Sequence, residues 1–301
     1  MTSTKRLLVL GTLLAPLVLA SGVVLAGGGP PTPPPAPPPG PAAPAADDPF
    51  VAGERAVDEA MRWIAKGQTP VTALQTLHAD LDYHYDDGST SDDRRMELWF
   101  RNPDAFRANF MYQGKDSNFL LVGSEGWLIR ETIHVDKLND SPTMGPKVLP
   151  MLENYRAVLQ EVGRLLAPKS AGARFRLEQI IPSPAASGGQ WYKVVRTAPR
   201  EPNMTYFFGS APRKDGAGLR AIAPDRLIIH GEPGSSYQGD DYRLEGWARD
   251  DAASMREAIR YPKLIRLYAI GIDPENKPTM RASVNTMELN PYIDPQLFKP
   301  Y

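Results

Sequence analysis

Four ionisable side chains stand two residues apart in one short stretch: His78, Asp80, Asp82 and His84. Imidazole and carboxylate groups ligate divalent metals and relay protons, so chemistry could be done here. The spacing argues against it. In an extended strand, residues two apart are separated by about 7 Å, too far for adjacent members to share a metal unless another strand helps. Histidine and aspartate alternating with apolar residues is also how a solvated strand face reads. The run Asp86 to Asp93, "DDGSTSDD", has the composition of a calcium loop, but its glycine follows no D-x-D-x-D register and a hairpin tip suits it better. Asn203-Met204-Thr205 matches a glycosylation sequon, which matters only in a eukaryotic secretory pathway. The chain has no G-x-S-x-G elbow, no phosphate-binding P-loop, no dinucleotide fingerprint and no H-E-x-x-H; "PGSSYQGD" has the wrong spacing for a nucleophile elbow. No catalytic residue, metal site or cofactor is assigned, and no enzymatic activity is expected.

The elements around these residues are easier to read. From Leu77, the residues Leu77, Ala79, Leu81, Tyr83 and Tyr85 alternate with His78, Asp80, Asp82, His84 and Asp86, which predicts a strand with one buried and one wet face. Asp87-Gly88 suits a hairpin turn. A return strand, Arg95 to Arg101, turns Met96, Leu98 and Phe100 inward, and Asn102-Pro103-Asp104 ends it. A third strand carries Phe106, Ala108, Phe110 and Tyr112 on one side. The apolar Phe119 to Val122, the turn Gly123 to Gly126, and Trp127 to Glu131 complete a five-stranded antiparallel meander. A helix precedes it, capped by Asp48 with Pro49 in its first turn and Gly67 as its stop; Phe50, Val57, Ala60, Met61 and Ile64 form its apolar stripe, with Trp63 beside it. A loop over His134 to Gly145 follows the meander. Then Val148, Leu152, Tyr155, Leu159, Val162 and Leu166 recur at 4, 3, 4, 3, 4, a second helix widened by Met151, Val158 and Leu165 and needing cover on more than one side.

The second half returns to strands, expected over Ala173–Ile180, Gln190–Thr197, Met204–Phe208, Arg226–Gly231, Tyr242–Trp247, Leu264–Ile270 and Thr279–Leu289, with a polar, helix-prone insert from Asp250 to Arg260. No internal repeat is found, and one domain over 50–301 is expected.

Three features of this order resemble the periplasmic lipoprotein-carrier (LolA-like) superfamily. Leu98-Trp99, Pro103 and Phe106-Arg107 match its strand–turn–strand. Val122 through Trp127 match a hairpin of the form V-x-S-x-G, and Val284, Met287, Asn290, Ile293, Phe298 and Pro300 fall in step with its terminal pattern. The resemblance implies a mainly β, α+β fold: a curved antiparallel half-barrel with helices packed on its concave face, the second helix closing over the open half. It also implies a greasy interior for acyl chains. Leu81, Tyr83, Met96, Leu98, Phe100, Phe106, Phe110, Tyr112, Leu120, Val122, Leu152 and Tyr155 would be its hydrophobic ligand-binding wall. Taken without the resemblance, that aromatic and methionine-rich face reads as an ordinary packed core. One departure is plain: the carriers place arginine directly before the turn proline, where this chain has Asn102, and alternation sends Arg101 to the opposite face.

Composition limits what else the chain could be. With 34 basic and 35 acidic residues there is no electrostatic case for nucleic acid as a partner. It has no cysteine, hence no disulfide framework, thiolate metal site or cysteine nucleophile, and no lipobox to make it a lipoprotein itself. Residues 1–26 read as a signal peptide or membrane anchor: Lys5-Arg6 are followed by an uncharged run from Leu7 to Ala26, with small-residue cleavage sites at Ala20 and Ala26. Residues 27–49 hold 11 prolines and read as a linker, either a polyproline stalk or a disordered tail left after cleavage. The expectation is an exported, extracytoplasmic binding protein for lipid or lipoprotein acyl chains, with an envelope membrane protein as a candidate second partner. The rival expectation is a membrane-stalked sensor or scaffold with a filled core.

Overall fold

The computed structural model describes residues 48–300, apart from 67–68, 71–72, 87, 89–90, 131–133, 171, 185–188, 200, 214, 217, 232–237, 248–258 and 271–276. The expected leader, nearly all of the linker, the Gly67 stop, most of the first hairpin tip and most of the 250–260 insert lie outside the described residues.

Helix α1 spans Pro49–Ile64, and its start follows from sequence: the Asp48 carboxylate accepts the Phe50 amide at 2.8 Å and Pro49 occupies the first turn, where its missing N–H costs nothing. Val57, Ala60, Met61 and Ile64 are buried as the stripe predicts, and so are Trp63 beside it and Ala56, which the stripe did not include. Phe50 is the exception. It is 40 % exposed, because what it meets on the neighbouring strand is Arg174, whose guanidinium stands 4.9 Å from the ring centroid.

Strands β1 (Thr76–Asp86), β2 (Ser91–Arg101), β3 (Ala105–Tyr112), β4 (Lys115–Val122), β5 (Glu125–Arg130) and β6 (His134–Lys137) form one antiparallel meander. β6 corrects the expected loop: Val135 and Asp136 pair with Ile129 and Leu128, and the chain breakers Pro142 and Gly145 act only downstream. Helix α2 (Gly145–Leu166) starts three residues earlier than its stripe does, with the Ser141 hydroxyl accepting the Met144 amide at 3.2 Å. A second meander follows: β7 (Arg174–Pro182), β8 (Gln190–Thr197), β9 (Met204–Pro212), β10 (Leu219–His230), β11 (Gly239–Glu245), β12 (Leu264–Ala269) and β13 (Met280–Leu289). β10 runs seven residues further toward its N-terminus than expected, since Pro224 sits at register shifts against β9 and so interrupts no ladder it would have to join.

All 13 strands make one antiparallel sheet in the order β6-β5-β4-β3-β2-β1-β13-β12-β11-β10-β9-β8-β7. The fold is α+β and mainly β, as expected. Laid flat, such a sheet would be roughly 58 Å wide, and α2, which joins one edge strand to the other, is only about 33 Å long. The sheet meets this by curling into a half-barrel around its helices. Inner-face side chains line up in cross-strand rows such as Leu77–Phe100–Phe106–Leu121 and Ala79–Leu98–Ala108–Phe119, and belong to one core with the stripes of both helices. A smaller cluster covers the outer face, where Ile293 and Phe298 of the C-terminal segment pack on Ala105, Leu120 and Ile129. Asn290 holds this segment in place: its side-chain oxygen accepts the Gln75 and Thr76 amides at 2.7 and 3.1 Å, and its amide nitrogen donates to the Ala73 carbonyl at 2.9 Å.

Candidate functional site

The polar face of β1 is occupied with its neighbours. His78 lies 3.1 Å from Glu97 and 3.3 Å from Glu288 and stacks on Trp99 at 5.4 Å; His84 lies 2.7 Å from Asp93. Asp80 accepts from Arg95 at 3.0 Å, and Asn285 reaches both Asp80 and Asp82 at 3.4 Å. Each of the four is thus engaged by neighbours across the sheet, Asp80 and Asp82 sharing Asn285. Among the described residues, no three His, Cys, Asp or Glu side chains are grouped so as to hold a metal ion.

Of the twelve apolar residues expected to line a ligand wall, ten face the inside. Leu81, Tyr83, Met96, Leu98, Phe100, Phe106, Phe110, Leu152 and Tyr155 are buried and Tyr112 is half-buried. They pack closely on one another. Phe110 stacks on Phe119 at 4.8 Å and meets Tyr155 edge-on at 6.0 Å, Tyr83 meets Tyr155 at 5.1 Å, and the Arg94 guanidinium lies 4.7 Å above Phe110. Asp92 closes this end, accepting from Arg94 at 2.5 Å and from the Tyr155 hydroxyl at 3.1 Å. Burial pushes the Tyr83 and Tyr155 phenols well above their ordinary range, so both stay protonated. Leu120 and Val122 are the correction: they belong to the outer cluster with Phe298 and Leu297, while Phe119 and Leu121 take the inner face. Arg101 points outward as alternation requires, 4.7 Å from the Phe298 ring, and the Asn102 side chain donates to the Leu74 carbonyl at 3.3 Å.

Open space on the inner side lies in the other half of the sheet, between α1 and strands β7, β8 and β10. A pocket of about 500 Å³ is walled on its apolar side by Ala52 and Ala56 of α1, Leu177 and Ile180 of β7, and Leu219 of β10. Ile180, 46 % exposed, stands at its mouth. Its polar side is made by Arg55 and Glu59, four residues apart and so on one face of α1, with Tyr192 and Arg213 facing them from the sheet. Glu59 joins helix to sheet: one carboxylate oxygen accepts from Arg213 and the other from the Ala221 amide at 2.9 Å. Arg213 is steadied further by donating to the Leu219 carbonyl at 3.1 Å. Burial, and then the Glu59 charge, raise the Tyr192 phenol, which keeps it a donor. Arg55, Glu59, Tyr192 and Arg213 together make this side polar. Chemically the arrangement offers apolar cover beside fixed donors, with no nucleophile–base pair among its lining residues.

Sequence reasoning missed this pocket. Its residues come from α1, β7, β8 and the β9–β10 hairpin, and no single stretch shows an apolar surplus. The one available signal was Arg55 and Glu59 at helical spacing on a face otherwise made of alanine.

No family model and no curated protein matches the chain. Among solved structures it is similar to a DUF1329 family protein from Desulfovibrio piger, at 11 % identity and a TM-score of 0.47 over 84 % of this chain and 98 % of that one. It is similar to an outer membrane lipoprotein-sorting protein domain from Vibrio parahaemolyticus, at 10 % identity and a TM-score of 0.45 over 83 % and 97 %. A LolA superfamily protein from Nitrosomonas europaea gives 9 % identity and a TM-score of 0.43 over 82 % and 98 %.

Proposed function

We propose that this chain is an exported, non-catalytic binding protein for a lipid-like ligand or a lipoprotein acyl chain of the cell envelope. The observation that carries the reading is the pocket of about 500 Å³ beneath α1, apolar along one side and opening past the exposed Ile180. The resemblance to lipoprotein carriers in the strand–turn–strand and terminal patterns supports the same class. Burial of acyl surface is the driving force: at about 25 cal/mol per Å², a few hundred Å² offers several kcal/mol, strong enough to hold and weak enough to release. The leader carries the domain out of the cytoplasm and leaves it either free or tethered by the proline-rich segment. Among the described residues no helix is long and apolar enough to cross a membrane.

Titration of the protein with a fluorescent long-chain fatty acid tests this. Saturable uptake, displaced by unlabelled palmitate and weakened by Ile180→Asp without loss of thermal stability, is the expected result. A second reading, a membrane-stalked sensor or scaffold with a filled core, is favoured by the close packing of Phe110, Phe119 and Tyr155. Absence of saturable uptake by the folded protein would select it.

A further inference from the structure

We propose that the ligand of the α1 pocket is an uncharged amphiphile, an acyl ester whose carbonyl accepts a hydrogen bond from Tyr192 while the charged side chains of the pocket stay engaged within the protein. The inference rests on the binding reading above and adds the chemistry of the head group.

The charged groups that line the pocket are Arg55, Glu59 and Arg213. Both Glu59 oxygens are in use, one accepting from Arg213 and the other from the Ala221 amide. Arg213 also donates to the Leu219 carbonyl, and Arg55 is not free either. The Glu59–Arg213 pair is partly withdrawn from water, its side chains 12 % and 32 % exposed. An anionic head could take Arg213 only by displacing Glu59, which would leave a poorly hydrated carboxylate without its cation. A cationic head would have to draw Glu59 from two donors and would then face the guanidinium it had displaced. An uncharged head disturbs neither partner. Tyr192 stands outside this network: none of these bonds involves its hydroxyl, and burial, then the Glu59 charge, keep it protonated and a donor. On the sheet it pairs with Ile180, the residue at the mouth, so donor and apolar entrance come from facing positions on β8 and β7. An ester suits both. Its carbonyl accepts without carrying charge, and its chain begins one atom away, to be covered by Leu177, Ile180 and Leu219.

Isothermal titration calorimetry with four amphiphiles of equal chain length, each below its critical micelle concentration, tests the proposal: 1-decanoylglycerol, decanoate, decyl phosphate and decyltrimethylammonium. The glyceride should bind about tenfold or more tightly than any of the three ions. Tyr192→Phe keeps the ring and removes the donor. It should weaken the glyceride about two- to tenfold, the size of one neutral hydrogen bond, and leave the ions unchanged. Glu59→Gln keeps the shape of the side chain but deprives Arg213 of its carboxylate, so decanoate should gain affinity while the glyceride does not. An uncharged synthetic peptide bearing the same decanoyl ester on a serine hydroxyl separates the sources: tighter binding than the glyceride assigns a protein-borne acyl ester, weaker binding a free glyceride. Any ion bound as tightly as the glyceride would overturn the head-group inference while leaving acyl binding standing. So would a glyceride affinity unmoved by Tyr192→Phe, or a decanoate affinity unmoved in folded Glu59→Gln. Binding of neither the ions, the glyceride nor the peptide would overturn the pocket reading itself, and this inference with it.

Discussion

Gly53 of α1 and Phe175 of β7 approach backbone to backbone: a Cβ on residue 53 would stand 2.5 Å from the Phe175 carbonyl oxygen and 2.7 Å from the Leu177 amide nitrogen. α1 therefore lies directly on the backbone of an edge strand, one way a sheet hides a surface that could recruit another strand. A glycine inside an exposed helix is normally worth replacing, since alanine gains about 1 kcal/mol in helix propensity. Here neither backbone atom can swing aside, and overpacking of this kind costs about 1–3 kcal/mol. Gly53→Ala should lower the urea midpoint with little change in slope; a raised midpoint would show that α1 rides further from β7 than described.

Phe110 distinguishes a packed interior from an open wall. It is 4 % exposed, sandwiched by Phe119, Tyr155 and Arg94. Phe110→Ala should cost about 3–5 kcal/mol, the transfer term plus the void it leaves. A loss near 1 kcal/mol, accompanied by weaker acyl binding, would mean that this half of the interior is solvent- or ligand-filled in solution.

Cysteine chemistry can test whether α2 must move. A Cβ on Gly163 would lie 3.6 Å from the Leu74 Cβ, within the range of a disulfide, and the chain has no cysteine of its own to interfere. Oxidised Leu74→Cys/Gly163→Cys should bind fatty acid as the reduced protein does, because the pocket lies under α1. Uptake that disappears on oxidation and returns with reductant would instead place the ligand beneath α2, against the wall of Leu81, Met96 and Phe110.

The pH dependence of stability should carry the mark of Glu161. Burial of this α2 residue raises its carboxyl above the usual carboxylate range, while Arg164, which donates to it at 2.5 Å, opposes the shift. Its second oxygen is buried without a partner. A carboxyl raised on folding favours the folded state below its unfolded value, about 4.3, and that contribution is lost as pH rises through the folded value. Glu161→Gln should therefore have a higher Tm than the wild type at pH 7, with the difference closing toward pH 4. A difference that is constant with pH would assign the effect to shape rather than charge.

Much of the architecture was legible because period-two alternation is local: Leu77 to Asp86 reads as a strand without knowledge of its neighbours, and the α2 stripe from Val148 to Leu166 is buried at every step. What failed depended on distance. Phe119 to Val122 is apolar without interruption, so alternation could not say that Leu120 and Val122 face outward. The cover that makes their burial favourable, Phe298 and Leu297, comes from the far end of the chain. The expected strand began only at Arg226, because the bulge that accommodates Pro224 is a property of the pairing with β9. The pocket was invisible for the same reason: Glu59 meets Arg213 and Ala221 across more than 150 residues.

The strand order has a consequence for biosynthesis. β13, the last of the described strands in chain order, lies in the middle of the sheet, between β1 and β12. Until residues 280–289 emerge, the chain can form only two separate ribbons, each with its central margin bare. Closing them requires pairs as remote as Leu77 with Leu289, a loop closure that carries a larger entropic cost than any hairpin of either ribbon. A chain cut before Met280 would be left with two sticky seams in place of one finished half-barrel.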